Sequence, residues 1–292
     1  MTHLKRRLGV HTSIAGGIHL SLERAKELGC NTVQIFSHNP RQWLVRQITK
    51  NSVEEFQKLR RTYDINPVFI HTSYLINLAS ANTEIFEKSI QLLIQEMDIA
   101  DILKADYVVL HTGSASADDK KIGRKRAFEA LRRISREKLW TTKLLLENTA
   151  GERGDISSHI SDLAEIINRT NSALIGGICF DTCHAFAAGY DISKETGISR
   201  LVQEIEIYLG IDRVKLIHLN DSKKGCNSHV DRHEHIGKGY IGKKGLRRFI
   251  NYPAFKDIPL ILETPKKSKE DDPRSLRIVR GLLKAEFKSS NK

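Results

Sequence analysis

Nine side chains that can bind a metal ion stand at or just after the ends of short apolar runs in the sequence. They are histidines and carboxylates: His71, His111, Glu147, Asp181, His184, His218, Asp231, His233 and Glu263. Imidazole nitrogen and carboxylate oxygen are ligands that zinc takes in proteins. Burying all of these groups together without a cation would be prohibitively costly in free energy. Because one tetrahedral ion accepts only four ligands, the pattern predicts a site with two or three metal ions.

The charge of such a site indicates which substrate it could hold. Three Zn²⁺ ions would carry six positive charges and the four carboxylates return four, so about two positive charges remain to attract an anion such as phosphate. Two ions roughly 3.5–4 Å apart can activate water and stabilise a phosphodiester under attack. Glu147, near the middle of the series, could bridge two ions through its two oxygens. The formal net charge of +12 favours a polyanionic partner, although basic proteins without that role are common.

These ligands need elements that bring them together, and short apolar runs supply such elements. Eight runs occur near residues 7–12, 32–37, 67–72, 107–112, 143–148, 175–181, 214–219 and 258–263. Their composition is that of parallel strands buried on both faces. Helical patterns lie between them, for example over residues 17–29, where Gly29 could end the helix, and over residues 83–104. This alternation predicts an α/β fold, a single (β/α)₈ TIM-type barrel with the metal site at the C-terminal mouth of its strands.

A doubly wound open sheet is the alternative fold. Its functional residues cluster at one switch point, whereas here the ligands follow six strands, the third to the eighth, which favours a closed barrel. We predict one domain over residues 1–292, with a core over about 8–265 and a closing helix, from about Asp272, and basic tail over about 266–292. The sequence has neither a bilayer-spanning run nor a secretory signal, and only four cysteines, which together indicate a cytoplasmic protein.

Several further residues resemble functional groups but have simpler explanations. Residues 237–244 nearly match a nucleotide P-loop, but position 244 is Lys and no apolar strand precedes it, so either a phosphate-binding turn or a plain turn remains. Cys179 and Cys183 could offer thiolates to zinc, yet Cys179 lies within a predicted strand and suits the core. We expect His11 to support a ligand or contact substrate. Five further imidazoles are expected on the surface: His3, His19, His38, His159 and His229.

Two segments near the predicted mouth carry groups suited to handling DNA. Residues 39–43 (NPRQW) combine a proline, an arginine and a tryptophan, and residues 72–78 (TSYLINL) offer Tyr74 and Leu75, a flat ring and an aliphatic wedge. Such groups can enter a groove or fill the gap left by an extruded nucleotide. The alternative is that Trp43 and Leu75 merely cap the barrel mouth.

Taken together, these motifs resemble those of the endonuclease IV family of apurinic/apyrimidinic endonucleases. From about Leu8 to Pro265 the chain carries, in this order, GVHTSIAGG, NPRQW, HTSYLINLAS, LHTGS, LLENTAG, FDTCHAFAAGYD, IHLNDSK, DRHEHIGKGYIG and LILETP. The resemblance implies a TIM-like barrel with three zinc ions and an enzyme of base excision repair. Such an enzyme hydrolyses the phosphodiester 5′ to an abasic site, leaving a 3′-hydroxyl and a 5′-deoxyribose phosphate, and also trims blocked 3′ ends.

The resemblance also implies roles for individual residues. His71, His111 and Glu147 would hold one zinc ion, and Glu147 would bridge to a second ion completed by Asp181, His218 and Glu263. His184, Asp231 and His233 would hold the third. Catalytic roles are expected for Glu147, Asp181 and Glu263, and DNA contacts for Arg41, Tyr74, Leu75, Asn220, Ser222 and Lys223.

The expected partner is double-stranded DNA containing abasic sites or blocked 3′ ends. The enzyme would act on it as a cytoplasmic, DNA-associated monomer, without a membrane or an obligate protein partner. Two rival functions remain. A divalent-metal sugar isomerase of the same barrel type typically needs fewer ligands and gives no reason for the group His184, Asp231 and His233. A catalytically silent DNA-binding relative would have no need of all nine ligands.

Overall fold

Eight parallel strands form one continuous sheet around the centre of the molecule. The structure, a computed structural model, describes residues 6–283. The strands of this sheet are β1 (Leu8–Val10), β2 (Val33–Phe36), β3 (Val68–His71), β4 (Tyr107–Leu110), β5 (Lys143–Glu147), β6 (Ile175–Asp181), β7 (Val214–His218) and β10 (Leu260–Leu262). Two short strands, β8 (Asp221–Ser222) and β9 (His233–Glu234), pair antiparallel outside it. All eight predicted strands are present.

The sheet closes on itself and forms a barrel. Its strands run in the order β1, β10, β7, β6, β5, β4, β3, β2, so β1 and β2 are the two ends of the list. A parallel bridge between His11 and Gln34 joins those ends, and the Thr12 amide donates to the Gln34 carbonyl at 2.8 Å. Gly9 permits this close approach, because a Cβ at position 9 would lie 2.0 Å from the Thr32 carbonyl oxygen. The closed barrel is confirmed, and the open sheet is excluded.

Helices cover the outside of the barrel and connect its strands. They are α1 (Leu20–Glu27), α2 (Lys50–Thr62), α3 (Thr83–Leu103), α4 (Lys120–Glu137), α5 (Ile160–Thr170), α6 (Thr182–Ala187), α7 (Glu195–Tyr208), α8 (Gly242–Ile250) and α9 (Asp271–Leu282), with a 3₁₀ turn at Ile211–Arg213. Side chains of Thr49, Asn82 and Asp119 accept backbone N–H groups at the starts of α2, α3 and α4. Helix α1 is shorter than predicted, and Gly29, with φ of +68°, follows its C-cap.

The barrel interior contains an apolar layer with the predicted ligands directly above it. One cluster of fully buried side chains takes a residue from each of six strands: Phe69, Val109, Leu145, Cys179, Leu216 and Ile261. Successive side chains of a strand point to opposite faces, so the residue two positions further along points inward again. Those positions are His71, His111, Glu147, Asp181, His218 and Glu263. The strand period therefore places six of the nine ligands in one layer at the C-terminal mouth.

The closing helix α9 begins one residue before its predicted start, at Asp271. The predicted basic tail lies mostly outside the described residues, so the prediction of one domain over the whole chain stays a prediction. Within residues 6–283, none of the helices combines the length and the apolar character needed to cross a membrane.

Candidate metal centre

All nine predicted ligands meet at the mouth of the barrel, in three groups. Within each group the ligand atoms lie within 4.8 Å of one another. The groups are His71, His111 and Glu147; Glu147, Asp181, His218 and Glu263; and His184, Asp231 and His233. Glu147 belongs to the first two groups, and the third has no residue in common with them. The structure therefore brings together the same sets that the resemblance implies.

Glu147 is the centre of this arrangement, at the end of β5 and fully buried. Its Oε2 lies 3.3 Å from Nε2 of His71 and 3.1 Å from Nε2 of His111. Its Oε1 lies 3.0 Å from Nδ1 of His218 and 3.4 Å from Nδ1 of His184. The two oxygens thus face different groups, which is the geometry a bridging carboxylate needs.

The carboxylates and imidazoles of the site favour each other's charged forms. Burial alone would raise the pKa of Glu147, but the His218 and His111 imidazoles hold that pKa well below its usual value. Burial lowers the pKa of His184, yet Asp181 and Asp231 raise it well above the value of a free imidazole. In the protein alone, histidine protons therefore balance the buried carboxylates. A divalent cation satisfies the same carboxylates and displaces those protons, so the donor set fits a metal ion.

Helix α6 explains how one short sequence supplies ligands to two groups. Asp181 is both the last residue of β6 and the N-cap of α6, where its Oδ1 accepts from the His184 amide at 2.8 Å. The turn that follows carries the His184 ring back over the barrel mouth. There its Nε2 lies 3.3 Å from Oδ2 of Asp231 and 3.3 Å from Nε2 of His233. The spacing Asp-Thr-Cys-His thus matches a strand end followed by one helical turn.

Hydrogen bonds from outside the groups fix which ring nitrogen faces the site. Nδ1 lies close to a backbone carbonyl in His71 (Thr72, 2.8 Å), His184 (Asn148, 2.9 Å) and His233 (Glu263, 3.0 Å). A carbonyl oxygen only accepts, so Nδ1 carries the hydrogen in all three rings and Nε2 is left for a metal ion. His218 is reversed, because its Nε2 lies 2.8 Å from Oε1 of Gln34 and its Nδ1 faces Glu147.

Three amide side chains orient the ligands, and sequence reasoning missed this role for all three. Gln34 accepts from His218 and donates to Oε1 of Glu263 at 2.6 Å. Asn220 donates to Oδ2 of Asp181 at 2.6 Å and accepts from the Glu263 amide at 2.9 Å. Asn148 forms two hydrogen bonds with the backbone of Asp181. The available signal was adjacency: Asn148 follows one ligand directly, and Asn220 comes two residues after another.

Asn220 and Ser222, for which DNA contacts are predicted, use their side chains within the protein in this structure. Both side chains are fully buried. Asn220 uses its amide on Asp181 and Glu263, and the Ser222 hydroxyl donates to the Lys224 carbonyl at 2.8 Å. The third member of this segment, Lys223, is exposed, so its DNA contact stays a prediction.

The surface prediction for His38 is wrong, because this ring is buried with an exposed fraction of 7%. His159 and His229 are exposed and His19 is half-buried. His3 lies outside the described residues. His11 belongs to none of the ligand groups found among residues 6–283. It lies 3.5 Å from Oε1 of Glu263 and lines the cavity above the site, as expected for a residue that supports a ligand or contacts substrate.

The two cysteines near the ligands are poor metal donors here. Cys179 and Cys183 lie within reach of ligand groups. Burial raises the pKa of each thiol to about 12, which disfavours the thiolate that binds a metal ion. Cys179 also belongs to the apolar layer inside the barrel.

The glycine-rich segment after β9 wraps around a carboxylate of the protein itself. The backbone N–H groups of Gly237 and Gly239 donate to Oδ2 of Asp221, and those of Ile241 and Gly242 donate to Oδ1, all at 2.9–3.2 Å. A Cβ at position 239 would lie 2.3 Å from the Ser222 carbonyl, so glycine is required there. The anion-binding turn is real, but Asp221 occupies it.

A cavity of about 1580 Å³ opens directly above the ligands. Its floor includes His71, His111, His184, Asp231, His233 and Glu263, and its rim includes Arg41 and Tyr74. The Tyr74 side chain is 66% exposed and packs edge-on against Phe36 with ring centroids 5.3 Å apart. Leu75 is half-buried, and the Trp43 ring, 36% exposed, lies beneath the Lys88 ammonium. Arg41 and Tyr74 are thus available to a ligand that enters from above, while Leu75 and Trp43 do not line this cavity.

Comparison with known proteins decides which barrel family this is. Residues 22–285 match the family model described as "Xylose isomerase-like TIM barrel". A protein of Halothermothrix orenii, described as "Probable endonuclease 4", is 42% identical over 265 residues, which cover 91% of this chain and 95% of that protein. The crystal structure of endonuclease IV from Thermus thermophilus superposes with a TM-score of 0.84 at 38% identity, covering 95% of this chain and 98% of that one. This chain belongs to the endonuclease IV family.

The comparisons also find sugar epimerases, but their similarity to this chain is limited to the fold. The crystal structure of a D-tagatose 3-epimerase-like protein has a TM-score of 0.70 but only 19% identity, covering 94% of this chain and 97% of that one. That likeness shows a common barrel and carries no statement about chemistry.

Proposed function

We propose that this protein is a DNA repair endonuclease that hydrolyses the phosphodiester 5′ to abasic sites, with three zinc ions at the barrel mouth. The observation that carries the proposal is the set of three ligand groups, two of them joined through Glu147, on the floor of an open cavity. Membership of the endonuclease IV family supports the reaction.

The residues of the site supply two things that this hydrolysis needs. Glu147, Asp181 and Glu263 are carboxylates in one ligand group, two of them fully buried, so they hold positive charge at a fixed place under the cavity. Gln34 and Asn220 restrain Glu263 and Asp181, which keeps that place fixed during the reaction. Zinc ions, when bound there, supply Lewis-acid stabilisation of the phosphate and lower the pKa of water.

We further propose that Arg41, Tyr74, Leu75 and Lys223 contact the DNA; Arg41 and Tyr74 line the cavity, and Lys223 is exposed. Tyr74 and Leu75 are consecutive residues at the mouth, where a ring and an aliphatic chain can fill the space of an extruded nucleotide. The net charge of +12 supports phosphate binding outside the cavity. We further propose that blocked 3′ ends are trimmed at the same site, because the bond to be cleaved is again a phosphate ester. The protein would work as a monomer among cytoplasmic DNA.

Incubation with defined substrates tests the reaction. Purified protein is mixed with a duplex containing one abasic site, an intact duplex, and ketose sugars, each with and without a metal chelator. We expect cleavage only of the abasic duplex, with 3′-hydroxyl and 5′-deoxyribose phosphate ends, and loss of cleavage with chelator. Glu263→Gln should reduce the cleavage rate severely, while the exposed control Glu270→Gln should match the natural protein. Ketose conversion without DNA cleavage would favour the sugar isomerase, and tight abasic binding without any turnover would favour the silent relative.

A further inference from the structure

A second buried polar cluster lies beneath the cavity rim, separate from the metal ligands. It consists of Ser37 and His38 after β2, Ser73 after β3, and Glu96 in the middle of α3. Their exposed fractions are 5%, 7%, 3% and 1%. None of the four belongs to a ligand group among the described residues. We call these four residues the rim cluster.

Glu96 is the residue that joins the two loops. Its Oε1 accepts from the Ser73 amide at 3.0 Å and lies 3.4 Å from Nδ1 of His38. Burial raises the pKa of Glu96 to about 8, so the carboxyl group is neutral at pH 7 and its oxygen serves as a hydrogen-bond acceptor without a full charge. A carboxyl group costs free energy in such a buried place unless it is hydrogen-bonded. The contribution of Glu96 to the protein therefore lies in the positions of the groups that it binds, above all the Ser73 amide.

Ser73 passes this restraint on to the Arg41 loop, and His38 holds the same loop by a hydrogen bond of its own. Nε2 of His38 lies 3.0 Å from the Gln42 carbonyl, so this nitrogen carries the hydrogen, and Nδ1 accepts from the Ser37 hydroxyl at 3.0 Å. The Ser73 hydroxyl donates to the Pro40 carbonyl at 2.7 Å. The carbonyl groups on both sides of Arg41 are thus held from below.

Ser73 also holds the turn that carries Tyr74. The Leu75 amide donates to Oγ of Ser73 at 3.2 Å, while the Ser73 amide itself is bound to Glu96. Residues 37–49 contain no helix or strand. Their position relative to residues 73–75 therefore depends on these few hydrogen bonds and on local packing, and not on a backbone ladder.

We propose that Glu96, His38 and Ser73 are positioning residues that keep Arg41 and the Tyr74–Leu75 pair in a fixed relative placement for recognising abasic DNA. The inference rests on the proposed function, because it concerns two loops that contact DNA only if the protein is a DNA repair endonuclease. The physical reason is preorganisation: a rim already ordered in the free protein does not lose that conformational freedom when DNA binds.

Three substitutions test the proposal against a matched control. Glu96→Ala removes the acceptor of the Ser73 amide, Ser73→Ala removes the link to Pro40, and Glu96→Gln keeps an oxygen at the same place. The control is Asp101→Ala on the same helix, whose carboxylate accepts the backbone amides of Thr141 and Thr142 at the opposite end of the barrel. Each protein is characterised by metal content, thermal unfolding, steady-state cleavage, and competition binding to abasic and intact duplexes.

We expect Glu96→Ala to raise KM for the abasic duplex about tenfold and to reduce the preference for abasic over intact duplex by a similar factor. Metal content should be unchanged, and kcat should stay within about threefold. Ser73→Ala should show the same pattern more weakly, and Glu96→Gln should restore the natural values. Asp101→Ala should lower thermal stability without changing the preference for abasic DNA.

A double substitution shows whether Glu96 acts through Arg41. If it does, adding Glu96→Ala to Arg41→Ala should change binding less than about twofold, because the loop residue it positions is already absent. Additive effects, or an unchanged abasic preference in a folded Glu96→Ala protein, would overturn the proposal. If Glu96→Ala does not fold, Ser73→Ala decides the question by the same measurements. Absence of abasic cleavage by the natural protein would instead remove the proposed function, and this inference with it.

Discussion

Replacing Glu147 by Gln should remove two of the three proposed metal ions and leave the third. Glu147 contributes to the group with His71 and His111 and to the group with Asp181, His218 and Glu263, one oxygen facing each. The group formed by His184, Asp231 and His233 is complete without it. Glutamine keeps an oxygen of similar placement but carries no charge, so the substitution isolates the electrostatic contribution.

The size of the effect follows from burial. Two unit charges 4 Å apart at an effective dielectric of about 20 interact by about 4 kcal/mol, which corresponds to roughly a 10³-fold change in affinity. Glu147 is fully buried, so solvent does not screen it. Asp231→Asn is the matched comparison, because the Asp231 side chain is 43% exposed and belongs to the third group that Glu147 does not share. It should lose one ion, with a smaller loss of affinity.

The assay counts ions and measures their affinity in the same protein samples. Metal is removed with a chelator, Zn²⁺ is returned in competition with a coloured chelator, and bound metal is determined by elemental analysis after desalting. Circular dichroism of the metal-free proteins verifies that each variant is folded. We expect about three ions in the natural protein, one in Glu147→Gln and two in Asp231→Asn. Three tightly bound ions in Glu147→Gln, or release of all ions by Asp231→Asn, would refute the shared-ligand reasoning.

Three further predictions concern the surroundings of the metal centre. Gln34→Ala should weaken zinc binding about 10- to 100-fold in the same competition assay, because His218 and Glu263 lose the amide that orients them. Joint replacement of Tyr74 and Leu75 by Ala should reduce the abasic-over-intact binding ratio at unchanged metal content, whereas Lys223→Ala should weaken binding to both duplexes alike and lower the salt slope by about one. Finally, burial raises the pKa of Glu96 from 4.5 to about 8, so the folded protein keeps a proton that the unfolded chain releases. Stability should then fall as pH rises through this window, and Glu96→Gln should raise the melting temperature at pH 8 more than at pH 5.

The alternation of side chains in strands made most of the metal centre predictable from sequence. Each apolar run that ends in a histidine or carboxylate has an inward-facing apolar residue two positions earlier, as Phe69 precedes His71 and Leu145 precedes Glu147. A parallel barrel brings the ends of all its strands to one mouth, so the ligand layer follows from the strand pattern. The sequence also supplied His184, because one turn of helix separates it from Asp181.

The same reasoning failed where the partner of a residue lies far away in the chain. Nothing near His38 in the sequence shows that Glu96, 58 positions later, covers it from α3. Likewise, the polar segment Asn220–Lys223 is one continuous motif with two environments, because Asn220 and Ser222 are buried whereas Lys223 is exposed to solvent. Burial of polar residues outside regular strands depends on tertiary packing, which has no period in the sequence.

The metal ligands at the strand ends and the loop residues above them have separate roles, and the fold supports them in different ways. Ligands such as Glu147 and His218 stand directly above the apolar residues inside the barrel, so their placement is inherited from the strands. Arg41 and Tyr74 stand on loops, and side-chain hydrogen bonds from Ser73, His38 and Glu96 help to tie those loops to the scaffold. Changes in the loops can therefore alter which DNA is accepted without disturbing the metal groups. Changes to Gln34 or Asn220, by contrast, act on the ligands themselves, and their effect on the rate should appear with every substrate.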